Sequence, residues 1–259
     1  MRTMQTKQIF LLSPANSGGQ RAQLLHNPRA RFELAVKLRT PQGAELGDVF
    51  AFLSGLYFRG KLAYARAFES PPRGVSGSYV ITTDRGLVAP ETMVTLEDLA
   101  AMGSTPIDSS DARYRLPLER TLCKVALAAG KKTKFVLLGS VATGKYVDVL
   151  KALLGERLLF PAEFVGRGDM SRGGLMLRCV EEKRELTYVP VHGSRRHGQR
   201  PGKLEPRPGI LLRACGEGQV SGSSESPSPL PSPGVPGEGG RGVPGEGGRS
   251  ARGRLKKAR

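Results

Sequence analysis

The sequence predicts an α/β fold, a single domain with a mixed β-sheet flanked by helices, followed by a disordered C-terminal tail. Three observations carry this. Short apolar runs of strand length stand at residues 8–12, 78–83 and 134–138. Segments with helical spacing of apolar residues lie between them. Two further apolar segments close together in sequence, at 175–180 and 186–191, imply neighbouring antiparallel strands and hence a mixed sheet.

Each element follows from local chemistry. Gln8-Ile9-Phe10-Leu11-Leu12 is an apolar run closed by Ser13-Pro14, as expected of a buried strand entering a loop. Asn27-Pro28 is expected to open a helix, Asn27 as cap and Pro28 at the first helical position, with Phe32, Leu34, Ala35 and Leu38 at helical spacing. Residues 46–68 read as a long helical stretch broken near Gly55 or Gly60, and residues 78–83 as the second strand. Thr95 and Ser104 can each begin a short helical piece. Residues 111–129 form a helix stopped by Gly130, 134–138 a strand and 145–154 a helix. The segments 175–180 and 186–191, separated by the charged 181–185, read as a hairpin with a longer loop.

A chain of 259 residues has room for one generous domain and a sizeable core. Apolar residues make up 39% and aromatics 6%, without tryptophan, so part of the chain adds nothing to a core. That part is 216–259, where 25 of 44 residues are Gly, Pro or Ser, and where Gly-Val-Pro-Gly-Glu-Gly-Gly-Arg at 234–241 recurs letter for letter at 242–249. The globular domain is accordingly assigned to 1–215. The tail reads either as a flexible basic arm or as translated repetitive DNA.

Lys and Arg number 40 against 23 for Asp and Glu, a formal charge of +17 that favours polyanionic partners. The tail holds seven cations and four carboxylates, which leaves a surplus of fourteen positive charges on residues 1–215. Cys123, Cys179 and Cys215 are odd in number and lack paired spacing, which argues against a disulfide framework. The apolar run at 9–12 is far shorter than a secretory core, and no stretch approaches a membrane span. The expected location is the cytoplasm, with no membrane partner. His26, His192 and His197 show no metal spacing, and neither a metal nor a cofactor is expected.

Four segments are candidates for chemistry. Gly139-Ser-Val-Ala-Thr-Gly-Lys145 follows a strand and precedes a helix, the context of a phosphate-cradling loop. Tyr146 stands where a magnesium-binding Ser or Thr would follow the lysine, so the competing reading is a tight turn that binds an anion through free N–H groups. Residues 13–19, with Ser13 and Asn16 and with Arg21 close behind, form a small polar loop at the end of the first strand, where α/β sheets place ligands. Residues 166–174 pack four glycines with Arg167 and Arg172 into an expected loop that can approach a phosphate. In Tyr57-Phe58-Arg59-Gly60-Lys61 and on to Arg66, aromatics alternate with cations, which suits either base stacking with phosphate neutralisation or a half-buried helix. The basic cluster His192, Arg195, Arg196, His197 and Arg200 is expected to contact phosphate or to lie solvated.

The order of these pieces resembles the YaaA-type peroxide stress resistance proteins over about residues 8–191. Ser13-Pro14-Ala15 is similar to that family's Ser-Pro-Ala-Lys after the first strand, with Asn16 at the lysine position. Gly55-Leu56-Tyr57 shares the Gly and Tyr of a Gly-Asp-Val-Tyr motif, and Gly86-Leu87-Val88-Ala89-Pro90 resembles Gly-Leu-Leu-x-Pro. Arg172-Gly-Gly-Leu-Met-Leu-Arg178 resembles Arg-Gly-Leu-Met-Ala-Arg with one additional residue. The resemblance implies a cytoplasmic DNA-binding protein that limits iron-driven oxidative damage. It also implies that residues 13–16, Tyr57 and 172–178 converge on one cleft.

Two functional expectations follow. The first is a nucleic-acid-binding protein, most simply for DNA, with Ser13, Asn16, Arg21, Tyr57, Arg59, Lys61, Lys145, Arg167, Arg172 and Arg178 in contact with the ligand. The second is an enzyme acting on a nucleotide or a nucleic-acid base, with loops 13–19 and 139–145 gripping it and Asp169 as acid or base.

Overall fold

Ile9, Phe10, Leu11 and Leu12 have no exposed surface, so the strand that carries them needs cover on both faces. The computed structural model describes residues 6–142, 144–202 and 204, all within one compact unit, Met1–Pro206. In chain order its first half comprises β1 (Gln8–Leu12), α1 (Gln20–His26), α2 (Glu33–Leu38), β2 (Ala44–Glu45), α3 (Leu46–Ser54), α4 (Leu56–Phe68), β3 (Ser78–Ile81) and β4 (Leu87–Val88). There follow β5 (Met93–Val94), α5 (Leu96–Ser104), α6 (Ala112–Ala129), β6 (Lys134–Leu138), α7 (Gly144–Leu154), β7 (Leu158–Pro161), α8 (Asp169–Glu181) and β8 (Tyr188–Pro190).

The main sheet has the order β4-β3-β1-β6-β7-β8, parallel in its centre and antiparallel at both edges, while β2 and β5 form a separate pair. Successive strand residues point to opposite faces. Phe10, Leu12, Val80, Val136 and Leu138 pack into one core with residues of α1 to α5 and α8. Ile9, Leu11, Ile81, Phe135 and Leu137 pack into a second core with α6 and α7. The chain leaves β1 toward the first face and leaves β6, its neighbour, toward the second. The carboxyl ends of β1 and β6 therefore flank a point where the winding direction switches, the place at which such sheets open a crevice.

The α/β fold with a mixed sheet is thus present, and several local expectations are corrected. The helix expected from Asn27-Pro28 begins instead at Glu33. Asn27 ends the preceding helix α1, and its side-chain oxygen accepts a hydrogen bond from the Arg29 N–H, a local turn that competes with capping. The expected hairpin at 175–191 is replaced by α8 and β8, with β8 pairing to β7, a strand the breaker pattern did not signal. Residues 166–174 are accordingly not one loop, because the helix starts at Asp169. The break in 46–68 falls at Gly55, whose φ of +59° disfavours other residues. Thr95 caps α5 in a reciprocal capping box with Asp98, whereas Ser104 ends that helix. The assigned boundary at 215 and the tail lie outside the described residues.

The glycines of α4 and α8 explain the close crossing of these two helices. A Cβ on Gly60 would stand 2.7 Å from the Gly173 carbonyl oxygen, and one on Gly173 would stand 2.7 Å from that of Leu56. Only glycine permits this approach, and it brings Tyr57 and Lys61 of α4 up to Arg172 of α8.

Candidate functional site

At the carboxyl ends of β1, β3 and β6 lies a cavity of about 700 Å³. Residues 13–18 after β1, Thr83 after β3 and Ser140 after β6 form its floor and sides, with Ser54, Tyr57, Met102, Lys145, Tyr146 and Asp169 around them. The first turns of α4, α7 and α8, through Tyr57, through Lys145 and Tyr146, and through Asp169, all reach this wall, so the positive ends of three helix dipoles border it. The loops are held from behind. The Ser13 N–H donates to the Leu138 carbonyl at 3.2 Å, the Gly18 N–H donates to the Asn16 side-chain oxygen at 3.1 Å, and the Thr83 hydroxyl donates to the Met102 carbonyl at 2.6 Å.

Two hydroxyls on the wall, those of Ser17 and Tyr57, are buried and have no hydrogen-bond partner among the described residues. Their residues retain only 7% and 6% of their surface. An unpaired buried hydroxyl costs about 1–3 kcal/mol, a cost that a ligand's acceptors would remove. Burial holds the Tyr57 hydroxyl well above the usual phenol range, against the opposing influence of the nearby Arg172 guanidinium, so it remains a donor.

Directly behind the wall is Lys61, 1% exposed. Its Nζ lies 2.8 Å from the Ser13 carbonyl oxygen, 2.9 Å from Ser13 Oγ and 4.2 Å from the centre of the Tyr57 ring. Among the described residues no carboxylate oxygen stands within ion-pair distance of it. Burial lowers its pKa to about 7, Arg172 pushing the same way and Asp169 opposing. Gly139 abuts Ser13, since a Cβ there would meet the Ser13 Cβ at 2.7 Å and the Tyr146 hydroxyl at 2.9 Å. That hydroxyl donates to the Ser140 carbonyl at 3.0 Å. Burial raises the Tyr146 pKa, with Ser13, Ser140 and Arg172 opposing.

The sequence-derived candidates divide by position. Ser13, Asn16, Tyr57 and Lys145 line the cavity, and Lys61 touches Ser13 from behind. Arg172 is buried, its guanidinium donating to the Phe164 carbonyl at 3.1 and 3.2 Å and to Asp169 at 3.4 Å. Arg21 and Arg59 border a neighbouring groove with Gly55, and Arg21 also donates to the Phe52 carbonyl at 3.0 Å. Arg167 donates to the Glu163 carbonyl and to the Ser171 hydroxyl. Arg178, six residues along α8 from Arg172, is half-buried and does not line the cavity. Sequence reasoning included Ser17 only as part of the 13–19 loop and did not single out Ser54, Thr83 or Met102. Thr83 follows β3, whereas Ser54 ends α3 and Met102 lies in α5, so only the packing of these helices over the carboxyl ends of the strands brings the residues together.

Among the described residues no group of three or more His, Cys, Asp or Glu side chains could hold a metal ion, and no helix is long and apolar enough to cross a membrane. Comparison of the chain with models of known families, with curated proteins and with solved structures finds no match.

Proposed function

We propose that the protein is a cytoplasmic nucleic-acid-binding protein that takes one unpaired nucleotide of a DNA strand into the cavity at the carboxyl end of its sheet. The observation that carries this reading is the pair of unpartnered buried hydroxyls, Ser17 and Tyr57, on the wall of a cavity of about 700 Å³. That volume suits a small ligand, and flipping an unpaired nucleotide out of a strand costs only a few kcal/mol. The dipole ends of α4, α7 and α8 together with Lys145 favour a phosphate at the rim. Ser54 of the cavity precedes Gly55 of the groove bordered by Arg21 and Arg59, cations that can take further phosphates of the strand. The resemblance to peroxide stress resistance proteins adds protection of DNA under oxidative stress as the role. An enzyme acting on a nucleotide or base is the second reading, favoured by Asp169 on the cavity wall, and in it Asp169→Asn abolishes turnover.

The test is fluorescence anisotropy of a labelled single strand and of a duplex of equal length, at two salt concentrations, with a mononucleotide as competitor. Tighter, salt-sensitive binding of the single strand, displaced by the mononucleotide, is expected. No binding of either DNA at low salt refutes the proposal.

A further inference from the structure

We infer that Ser13 and Lys61 form a nucleophile and base pair that hydrolyses carboxylic esters admitted to the cavity, with the Tyr57 hydroxyl as donor to the developing oxyanion. The inference goes beyond DNA binding and is independent of which ligand occupies the cavity in the cell.

Three features of the structure combine. Ser13 lines the cavity, and its Oγ is 2.9 Å from Lys61 Nζ, the hydrogen-bond separation expected of an activated serine and its base. Lys61 is sealed from solvent, with the Ser13 carbonyl and the Tyr57 and Phe58 rings as its other close partners. A fully buried amine with no ion pair is a poor structural element, since an apolar side chain would fill the same space without desolvating a charge. In its neutral form the amine donates to the Ser13 carbonyl and turns its lone pair to the Ser13 hydroxyl hydrogen. Tyr57 lies one helical turn before Lys61 and presents a buried donor with no partner among the described residues. The charged and titratable groups that face this pair are Tyr57 on α4, Asp169 and Arg172 on α8, and Tyr146 on α7.

In the reaction, Ser13 Oγ bonds to the ester carbonyl carbon while its proton passes to Lys61 Nζ. The carbonyl oxygen takes up negative charge opposite the Tyr57 hydroxyl. The bond to the leaving oxygen then breaks, and Lys61 returns the proton to the departing alcohol. Water attacks the acyl-serine, giving one proton to Lys61 as its oxygen bonds to carbon. Ser13 Oγ leaves with that proton, and a carboxylic acid is released.

The experiment is incubation of the full chain with p-nitrophenyl acetate, following nitrophenolate release and mapping acetylated peptides by mass spectrometry. The expected result is a burst with acetyl on Ser13 and a rate that rises through pH 7. Ser13→Ala should abolish the burst. That variant keeps the Lys61 bond to the Ser13 carbonyl, and unfolding curves establish its integrity. Lys61→Met should slow acetylation at least a hundredfold, the lower range of a lost general base. Nitrophenolate release that survives Ser13→Ala, acetyl found only at other residues, or unchanged Ser13 acetylation in Lys61→Met each overturns the inference.

Discussion

Replacing Lys61 by methionine keeps most of the apolar stem and removes the amine with its bonds to Ser13, so the pH dependence of its effect on stability isolates the buried titration. The Lys61 pKa falls from 10.5 to about 7 on folding, burial being the largest cause. The unfolded chain therefore holds a proton that the folded protein has released throughout the window from pH 7 to 10.5. Stability from this group must rise with pH there, at a slope approaching about 1.4 kcal/mol per unit. Below pH 7 both states are protonated and the dependence vanishes. Between pH 7 and 9.5 the rise integrates to about 3 kcal/mol, smaller than the full shift chiefly because the window closes a unit below the unfolded pKa, and slightly because half of the folded molecules are still protonated at pH 7. The upper limit of 9.5 keeps most tyrosines un-ionised in both states. Urea unfolding of the wild type and Lys61→Met at half-unit intervals measures this, because titrations common to the two proteins cancel in the difference. The difference should climb in favour of the wild type by about 3 kcal/mol. A flat difference, or one that falls with pH, would show that the amine stays charged in the folded protein and would refute the reasoning.

Gly60→Ala places a Cβ 2.7 Å from the Gly173 carbonyl oxygen. Overpacking of about 1–3 kcal/mol outweighs the gain of up to about 1 kcal/mol in helix propensity, so urea unfolding should show net destabilisation, with weaker DNA binding as α4 and α8 part. Thr95→Ala removes the hydroxyl that accepts from the Asp98 N–H at 3.4 Å. It should cost about 0.5–1 kcal/mol, the low end for a lost cap, read as a lower midpoint in thermal unfolding. Lys145→Ala should weaken single-strand binding and reduce the slope of log affinity against log salt by about 1, as expected for the loss of one phosphate contact.

What was legible in the sequence follows from how each feature is encoded. The strands β1, β3 and β6 are apolar on both faces, so they stand out as short runs without any knowledge of their partners. The break at Gly55 and the cap at Thr95 are equally local. Strand β7 and helix α8 were not legible for opposite reasons. Leu158–Pro161 is only four residues long and follows Gly155 at φ +54° and a short 3-10 turn, so its apolar residues read as the end of the preceding helix. In Asp169–Glu181 two adjacent glycines imitate a loop, yet Gly173 is there because the backbone of α4 lies against it. The helix expected at Asn27 failed because the Asn side chain bonds two residues onward and forms a turn. At the site, Ser13, Asn16 and Lys145 were marked by loop chemistry and by their place after strands, and Tyr57 by the alternation of aromatics with cations. The role of Lys61 was not visible, since alternation of aromatics and cations cannot tell a solvated cation from one sealed under a serine. Ser17 and Thr83 are ordinary loop residues, made distinctive only by burial.

The central claim is that a nucleotide enters the cavity between β1 and β6. Its most direct test is ultraviolet crosslinking of the full chain to a single DNA strand carrying 4-thiothymidine, with the linked peptides identified by mass spectrometry. The account predicts crosslinks to peptides containing Tyr57, Met102 or Tyr146 of the cavity wall, reduced by excess mononucleotide. Crosslinks confined to residues 216–259 or to the outer arginines, with none in the cavity, would contradict it.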